Sequence, residues 1–123
     1  MKRFIIIILL ILPGLSFSQV KVDGVDINSL EGIKYIEIVG FERLLSTKVT
    51  VTIDYGQKMK FGSDQRIEKE DGKPIIFNSV IEALNFLNKN GWEFVNNYAV
   101  TISNQNVYHY LLKRREQVNI TGN

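Results

Sequence analysis

The stretch NSVIEALNFLNKNGWEFVNNYAVTISNQNVYHYLLKRR, residues 78–115, decides the fold, because it holds the clearest helix signal and the clearest hairpin of the chain. Ser79 followed by Glu82 is a capping box, in which the serine oxygen accepts a hydrogen bond from the third helical amide and the glutamate reaches back. Gly91 supplies the left-handed residue that commonly follows a helix. The pattern predicts a helix of about three turns that ends near Asn90.

The predicted helix has one apolar face when successive residues are placed roughly 100° apart, and that face carries Val80, Ile81, Leu84 and Leu87. Phe86 breaks the pattern, because it falls among polar residues. Packing at the edge of the core is the simpler interpretation, since single exposed apolar residues are common on soluble proteins. We keep Phe86 as a candidate partner contact.

Two strands are predicted after the glycine. Residues 92–102 form a long strand whose apolar face carries Trp92, Phe94, Tyr98, Val100 and Ile102. The neighbouring asparagines Asn96 and Asn97 interrupt that face and predict a bulge that re-aims the second half. After a polar turn, residues 107–113 return, with Tyr108, Tyr110 and Leu112 on one face and Val107, His109 and Leu111 on the other. Trp92, at the junction of helix and strand, is expected to fill the core.

Residues 1–18 have the shape of a secretory signal peptide. A short basic start precedes an unbroken apolar run, residues 4–12, and Ser16 and Ser18 supply the small residues before the cleavage point. The run is shorter than the roughly 20 apolar residues that span a bilayer, which argues against the alternative of an uncleaved anchor. We expect cleavage before Gln19 and an exported protein, periplasmic or extracellular, without a membrane segment.

Loss of the signal peptide changes the charge of the chain. The full sequence has 15 lysines and arginines against 13 aspartates and glutamates, and Lys2 and Arg3 leave with the signal, so the remainder is formally neutral. Nucleic-acid binders usually carry a surplus of basic charge on one face. The dense basic cluster at residues 113–115 is more simply a solvated strand end, so no nucleic-acid partner is expected.

The rest of the chain predicts further strands and loops. Residues 19–32 hold several turn formers and predict a flexible lead-in, with a brief strand around residues 20–22. The apolar residues of 33–41 predict a strand with both faces partly covered. Residues 48–55 alternate strictly and predict a half-buried strand with Val49, Val51, Ile53 and Tyr55 inward. Residues 63–73 predict a solvated loop or hairpin around Asp71 and Gly72, with two short edge segments, residues 66–69 and 74–77, paired across the turn. Residues 116–123 predict a frayed tail.

These elements predict one α+β domain over residues 33–115, a four-stranded antiparallel sheet (ββαββ) with one helix packed on one face. The run GWEFV after a capped helix, followed by a strand that ends YLLKRR, resembles the short ββαββ domains of unknown function found in bacteria. With the signal peptide and the runs KVTVTIDYGQ and NQNVYHYLLKR, the chain is similar to a group of small exported bacterial proteins. The resemblance implies a fold and a compartment and transfers no catalytic residue.

Catalytic, metal and cofactor sites lack the residues that they need. The single histidine, His109, lies between two tyrosines without the nucleophile and acid of a serine hydrolase. One histidine and no cysteine make a poor zinc site, the acidic residues of 63–73 lack the spacing of a calcium loop, and the glycines form no phosphate loop. We expect no enzyme activity, no metal and no cofactor.

The aromatic residues of the final hairpin form the main candidate surface, which comprises Tyr98, Tyr108, His109 and Tyr110. One helix covers only one face of a four-stranded sheet, and an exposed aromatic face suits a sugar, a peptide strand or another protein. Packing in the core or across strands is the simpler alternative. The predicted function is a non-catalytic interaction or accessory module with a protein partner or as a homodimer. The alternative is a small-ligand binding protein, for a sugar or a peptide, that uses this face.

Overall fold

The computed structural model describes residues 19–42, 47–58 and 63–116. The predicted signal peptide and all but the first residue of the predicted frayed tail lie outside the described residues. In chain order the elements are β1 (Lys21–Val22), β2 (Val25–Asp26), a 3-10 helix (Ile27–Ser29), β3 (Tyr35–Glu42), β4 (Val49–Asp54), β5 (Ile67–Glu68), α1 (Val80–Lys89), β6 (Trp92–Ile102) and β7 (Gln105–Arg114).

The strands form two antiparallel sheets, which confirms the α+β class. The larger sheet has four strands in the order β4-β3-β7-β6, and the smaller has three in the order β2-β1-β5. β1 falls in the brief strand expected around residues 20–22, and β5 falls in the edge segment expected at residues 66–69, which pairs across the turn through Glu68 and Pro74. The sheet that joins β5 to β1 and β2 was not predicted. Within the three described ranges, no helix has the length and apolarity to span a bilayer.

The helix begins at the predicted cap. Ser79 is extended, and its Oγ accepts a hydrogen bond from the amide of Glu82 at 3.3 Å. The returning bond of Glu82 goes to Asn78, whose Nδ2 donates to Oε2 at 2.6 Å. Gly91 follows the helix with φ of +92°, in the left-handed region that favours glycine. Both ends of α1 were therefore readable from local chemistry.

The buried face of α1 is centred on Ala83 and Leu87, which are both fully buried. This corrects the predicted stripe, because Ile81 lies on the opposite side of the helix and is 63% exposed. The small Ala83 lets the helix approach the sheet closely. The contact is also close at Gly40 of β3, where an added Cβ would lie 2.7 Å from Cγ2 of Val80. Small residues on both elements thus set the distance between helix and sheet.

The core lies between the larger sheet, α1 and the smaller sheet. It is built from buried side chains of every one of these layers, among them Val20, Val22, Ile27, Ile36, Ile38, Val51, Ile53, Ile67, Phe77, Leu87, Trp92 and Leu112. In β4 the inward positions Val49, Val51 and Ile53 are buried as predicted, although Thr50 on the opposite face is also buried, at 8% exposure. In β3 Ile36 and Ile38 are buried, so their chain neighbours Tyr35, Glu37 and Val39 lie on the opposite face of the sheet.

The predicted bulge in β6 is present. Pairing with β7 shifts register between Phe94 and Asn96. Because directly paired residues share a face, Trp92 and Phe94 lie on the helix side, opposite Arg114 and Leu112, while the residues beyond the bulge change sides. The one-face pattern predicted for all of β6 therefore holds only as far as Phe94.

Residues 19–32 are a packed part of the domain, which corrects the predicted flexible lead-in. Val20, Val22 and Ile27 are fully buried. Asp23 and Gly24 both have positive φ, +50° and +78°, and close a tight hairpin in which Val22 pairs with Val25. The Asp-Gly dipeptide was the signal for this hairpin. The flanking alternation is only a few residues long and does not identify strands without the sheet that receives them.

Polar contacts of Trp92 and Arg114 join the N-terminal segment, residues 19–32, to the larger sheet. The buried Trp92 donates its Nε1 hydrogen to Oδ1 of Asn28 at 2.7 Å, and the Arg114 guanidinium lies 4.9 Å from the indole centroid. Arg114 also donates to the carbonyls of Ile27, Asn28 and Leu30 at 3.1–3.2 Å. Arg114 is thus a structural residue, which corrects the interpretation as a solvated strand end at that position, whereas Lys113 and Arg115 are exposed.

The two edges of the larger sheet differ. The outer edge of β4 is covered, since Val49 and Phe77 exchange two backbone hydrogen bonds of 2.9 Å and the Ile53 amide donates to the Gln65 carbonyl at 2.8 Å. The outer edge of β6 has no strand partner among the described residues. One edge is therefore closed by the chain itself and the other is free.

Candidate functional site

The face of the larger sheet opposite α1 is the candidate site, and we call it the open face. Alternation along the strands places two sets of side chains on opposite faces. Since Ile36, Ile38 and Leu112 point to the core, their chain neighbours point to the open face. These neighbours and their cross-strand partners are Tyr35, Glu37, Val39 and Phe41 of β3, Thr50, Thr52 and Asp54 of β4, Tyr98, Val100 and Ile102 of β6, and Val107, His109 and Leu111 of β7.

Large apolar side chains on the open face are in contact with water. Tyr35 is 59% exposed, Phe41 is 50% exposed and Ile102 is 57% exposed. Tyr98 and Val100 are also exposed, at 48% and 38%. Several exposed apolar side chains on one sheet face are typical of binding surfaces.

Three polar side chains form a cluster at the centre of the open face. Glu37 accepts hydrogen bonds on both carboxylate oxygens, from the Tyr98 hydroxyl at 2.6 Å and from Nδ1 of His109 at 2.8 Å. The rings of Tyr98 and His109 stack, with centroids 4.9 Å apart and planes within 8° of parallel. The register explains the cluster, because Tyr98 pairs directly with His109 while Glu37 lies diagonally across from it on β3.

The hydrogen bonds to Glu37 determine where two hydrogens of the cluster lie. A carboxylate only accepts, so Nδ1 of His109 carries the hydrogen of that bond. Nε2 has no hydrogen bond to a described residue. The hydrogen bond to Glu37 raises the pKa of Tyr98, and burial and the negative charges of Glu37 and Asp54 act in the same direction. The cluster therefore leaves Nε2 of His109 available for a hydrogen bond and holds Tyr98 as a neutral phenol.

The predicted surface residues fall into different environments. Tyr98 and His109 meet on the open face, as just described. Tyr110 lies on the helix side, partly buried, with its ring centroid 6.5 Å from that of Phe94. Tyr108 shares that side but is 49% exposed, because the β6–β7 hairpin extends past β3. Phe86 packs at the core edge against Phe77, with centroids 5.6 Å apart. The sheet thus divides the aromatic cluster that the sequence predicted.

Sequence reasoning did not single out Glu37, Tyr35 and Phe41 as site residues. The alternation of β3 contained the signal for Tyr35 and Phe41, although it did not show which face was open. Glu37 had no local signal, because Tyr98 and His109 lie 61 and 72 residues further along the chain. Only the pairing of β3 with β7 brings the three together.

A second concavity lies on the other side of the molecule, beside the smaller sheet. It is a shallow cleft of about 490 Å³ lined by Gln19, Lys21, Glu68, Lys69, Glu70, Ile75 and Phe86. Its charged residues carry both signs, and its one aromatic lining residue, Phe86, packs against Phe77 at the core edge. The open face has the more specific arrangement of side chains, and we take it as the candidate site.

Neither a metal cluster among the described residues nor a known relative identifies this site. Across residues 19–42, 47–58 and 63–116, no three histidine, aspartate or glutamate side chains are placed to hold a metal ion. Comparison of the chain with family models, with curated proteins and with solved structures gives no significant match.

Proposed function

We propose that this chain is an exported, non-catalytic interaction module whose open face binds a protein partner. The observation that carries the proposal is the group of five large, exposed apolar side chains on one sheet face, Tyr35, Phe41, Tyr98, Val100 and Ile102. Each square ångström of apolar surface removed from water is worth about 25 cal/mol. A partner that covers this face gains that free energy without disturbing the core.

The Glu37 cluster sets the orientation of the partner in the proposed interface. The carboxylate is held by Tyr98 and His109, so it enters an interface with both oxygens already satisfied, which lowers the cost of covering it. Nε2 of His109 makes a hydrogen bond to the partner. Apolar side chains then supply most of the affinity, and one fixed polar group among them selects the orientation.

The same cluster supports a non-catalytic role. A nucleophilic or basic tyrosine needs a lowered pKa, whereas the hydrogen bond to Glu37 raises the pKa of Tyr98. The carboxylate holds the phenol proton instead of removing it. The cluster is built to keep its groups in place.

The open face is tested by site-specific photocrosslinking in cells that make the protein. A photoreactive phenylalanine analogue replaces Phe41 on the open face or Ile81 on the outer side of α1, two positions that are 50% and 63% exposed. We expect a discrete adduct from position 41 and none from position 81. Equal adducts from both positions, or none from position 41, would argue against a partner on the open face.

A small ligand is the second candidate, and the ring nitrogen Nε2 of His109, which has no hydrogen bond to a described residue, favours it because it lies beside the stacked rings of Tyr98 and His109. Oligosaccharides and extended peptides are the probes, added to labelled protein while the side-chain resonances of Tyr98 and His109 are followed by NMR. A ligand on the open face shifts both residues, and binding weakens in Glu37→Gln. If the shifts occur only at the cleft beside Phe86, the open face is not the ligand site.

Export is part of the proposal and rests on residues 1–18. N-terminal sequencing of the protein isolated from its own cells is expected to give Gln19 as the first residue. A chain that still begins at Met1 would contradict cleavage. The resemblance to small exported bacterial proteins supports the same compartment, periplasmic or extracellular.

We also propose that β3, β4, α1, β6 and β7 form a ββαββ unit to which the smaller sheet is added. Native-state hydrogen exchange tests this division, because separate units open with different free energies. The amides of β3 and β7 are expected to exchange most slowly. Slower exchange in β1 and β2 than in β3 would show that the smaller sheet is the more stable part.

A further inference from the structure

The outer edge of β6 beyond the bulge is unprotected. Natural proteins block free sheet edges with lysines, prolines, bulges or covering segments, because unpaired backbone groups recruit other strands. From residue 94 to residue 102 the chain has no charged residue and no proline, and every one of these residues is exposed. The one bulge lies between Phe94 and Asn96. Residues 96–102 therefore present a regular edge without any of these protective features.

The turn at the tip of the hairpin sets the backbone directions. Ser103 and Asn104 both have positive φ, +51° and +63°, which is the geometry of a two-residue type I′ turn. In such a hairpin the flanking residues, Ile102 and Gln105, form a hydrogen-bonded pair. Their backbone groups consequently point towards each other.

Alternation then assigns the outward-pointing groups. The Arg114 amide donates to the Lys34 carbonyl at 2.7 Å, so even-numbered residues of β7 face β3 and odd-numbered residues face β6. The β6 residues opposite those odd positions point inward. The amides and carbonyls of the alternate residues, Asn97, Ala99 and Thr101, point to the free edge, where the Asn97 amide already donates to Oδ1 of its neighbour Asn96 at 2.8 Å.

We propose that this edge pairs with the same edge of a second copy of the chain. The two β6 strands run antiparallel about a two-fold axis at Ala99, and Asn97, Ala99 and Thr101 of each copy supply the backbone hydrogen bonds. This is an isologous contact, which closes after two copies. The two four-stranded sheets become one continuous sheet.

The register about Ala99 is self-complementary. Tyr98 of each copy lies opposite Val100 of the other, an aromatic and β-branched pair of the type that stabilises antiparallel strands. Asn97 lies opposite Thr101, and the smallest side chain of the segment lies on the axis. Because residues 94–102 carry no charge, no like charges meet.

Edge pairing leaves the open face of each copy uncovered, with its charged residues Glu37, Asp54 and Lys113 in water. With the two-fold axis perpendicular to the sheet, both open faces lie on the same side and form one wider surface. The inference goes beyond the proposed function and does not depend on it, since the contacts are backbone groups.

The test is charge complementation at the axis. Ala99→Lys and Ala99→Glu each place two like charges opposite one another, so each variant alone is expected to be monomeric by light scattering, while an equimolar mixture is expected to recover the dimer. Ile81→Lys, on the exposed side of α1, is the matched control and stays dimeric. A wild-type chain that is monomeric up to about 1 mM, a dimer that survives Ala99→Lys, or a mixture that stays monomeric would overturn the proposal.

Hydrogen exchange of the unmodified protein provides a test that needs no variant. The amides of Ala99 and Thr101 are expected to exchange several-fold more slowly in concentrated than in dilute solution, because the dimer protects them. The amides of Tyr98 and Val100 are bonded within the hairpin and serve as the internal control. Exchange at Ala99 that is independent of concentration would overturn the edge pairing even if the Ala99 variants failed to fold.

Discussion

The two halves of β6 belong to one strand and have opposite surroundings. Before the bulge, Trp92 is 1% exposed, its Nε1 is bound to Asn28 and its ring is covered by Arg114. Beyond the bulge, Tyr98 is 48% exposed and Ile102 is 57% exposed. The inner half is fixed by contacts within the chain, whereas the outer half offers both its side chains and its edge to other molecules.

The bulge causes this difference between the two halves of β6. A strand without it would keep Trp92, Tyr98 and Ile102 on one face, and the helix would then have to cover all of them or leave the core incomplete. The extra residue at Val95 moves the second set to the open face. One long strand can therefore serve the core at one end and a surface at the other.

The largest expected effect in this comparison is at Trp92. Trp92→Ala removes a buried indole and the hydrogen bond to Asn28, and we expect it to lower the free energy of unfolding by about 3–5 kcal/mol. Denaturant unfolding monitored by circular dichroism measures the loss. Trp92→Phe keeps an aromatic ring in the site and is expected to cost less, about 1–3 kcal/mol. A loss below 1 kcal/mol for the alanine variant would show that the indole does not anchor the core.

Local sequence chemistry predicted the helix ends, the strand β4 and the bulge. Each of these depends on residues close together in the chain: Ser79 with Glu82, the alternation of Val49 with Val51, and the asparagine pair beside Val95. Such features do not depend on which tertiary contacts form, because the backbone preference and the side-chain pattern agree. These parts of the fold can be predicted without knowing which elements pack together.

The elements that sequence reasoning missed depend on distant partners. Val20 and Val22 are buried only because β5 and the core receive them. Arg114 resembles any charged strand end until the carbonyls of Ile27 and Leu30 come within reach. The Glu37 cluster is missed for the same reason. Short strands and isolated charges carry too little local preference to reveal such contacts.

Arg114 provides the next effect in size. Arg114→Met keeps much of the aliphatic bulk against Trp92 but removes the donors to three carbonyls. The buried carbonyls then lose charge-assisted hydrogen bonds and the indole loses its cation, so we expect a loss of about 1–3 kcal/mol. Thermal unfolding of Arg115→Met is the control, since the exposed Arg115 is expected to contribute less than about 0.5 kcal/mol. Equal losses for the two arginines would show that Arg114 does not stabilise the inner half of β6.

The polar cluster of the open face is tested by titration. Glu37→Gln removes the charged acceptor that raises the pKa of Tyr98, so the Tyr98 pKa is expected to fall towards that of an ordinary tyrosine. NMR of the Tyr98 ring through alkaline pH measures it. In the wild type the folded-state pKa lies above the unfolded one, so the stabilising contribution is complete below pH 10 and is lost as the pH rises through the folded pKa.

Asp54→Asn is the matched control for that titration. Asp54 acts on Tyr98 only through its charge, and this is the weakest of the causes that raise the pKa. The Tyr98 pKa is therefore expected to fall less than in Glu37→Gln. If both variants leave it unchanged, the hydrogen bond between the Tyr98 hydroxyl and Glu37 is not formed in solution.

The smallest effect on the free energy of unfolding is expected at Val100, and the same substitution at a core position provides the comparison. Val100→Thr and Val51→Thr make the same change in strand residues that are 38% and 1% exposed. The buried hydroxyl at position 51 is expected to cost about 1–3 kcal/mol, whereas the exposed one changes the free energy of unfolding by less than about 0.5 kcal/mol. Both are measured in dilute solution, so that self-association does not contribute. Equal losses at the two positions would mean that Val100 is covered within a single chain, and the outer half of β6 would no longer be a free surface.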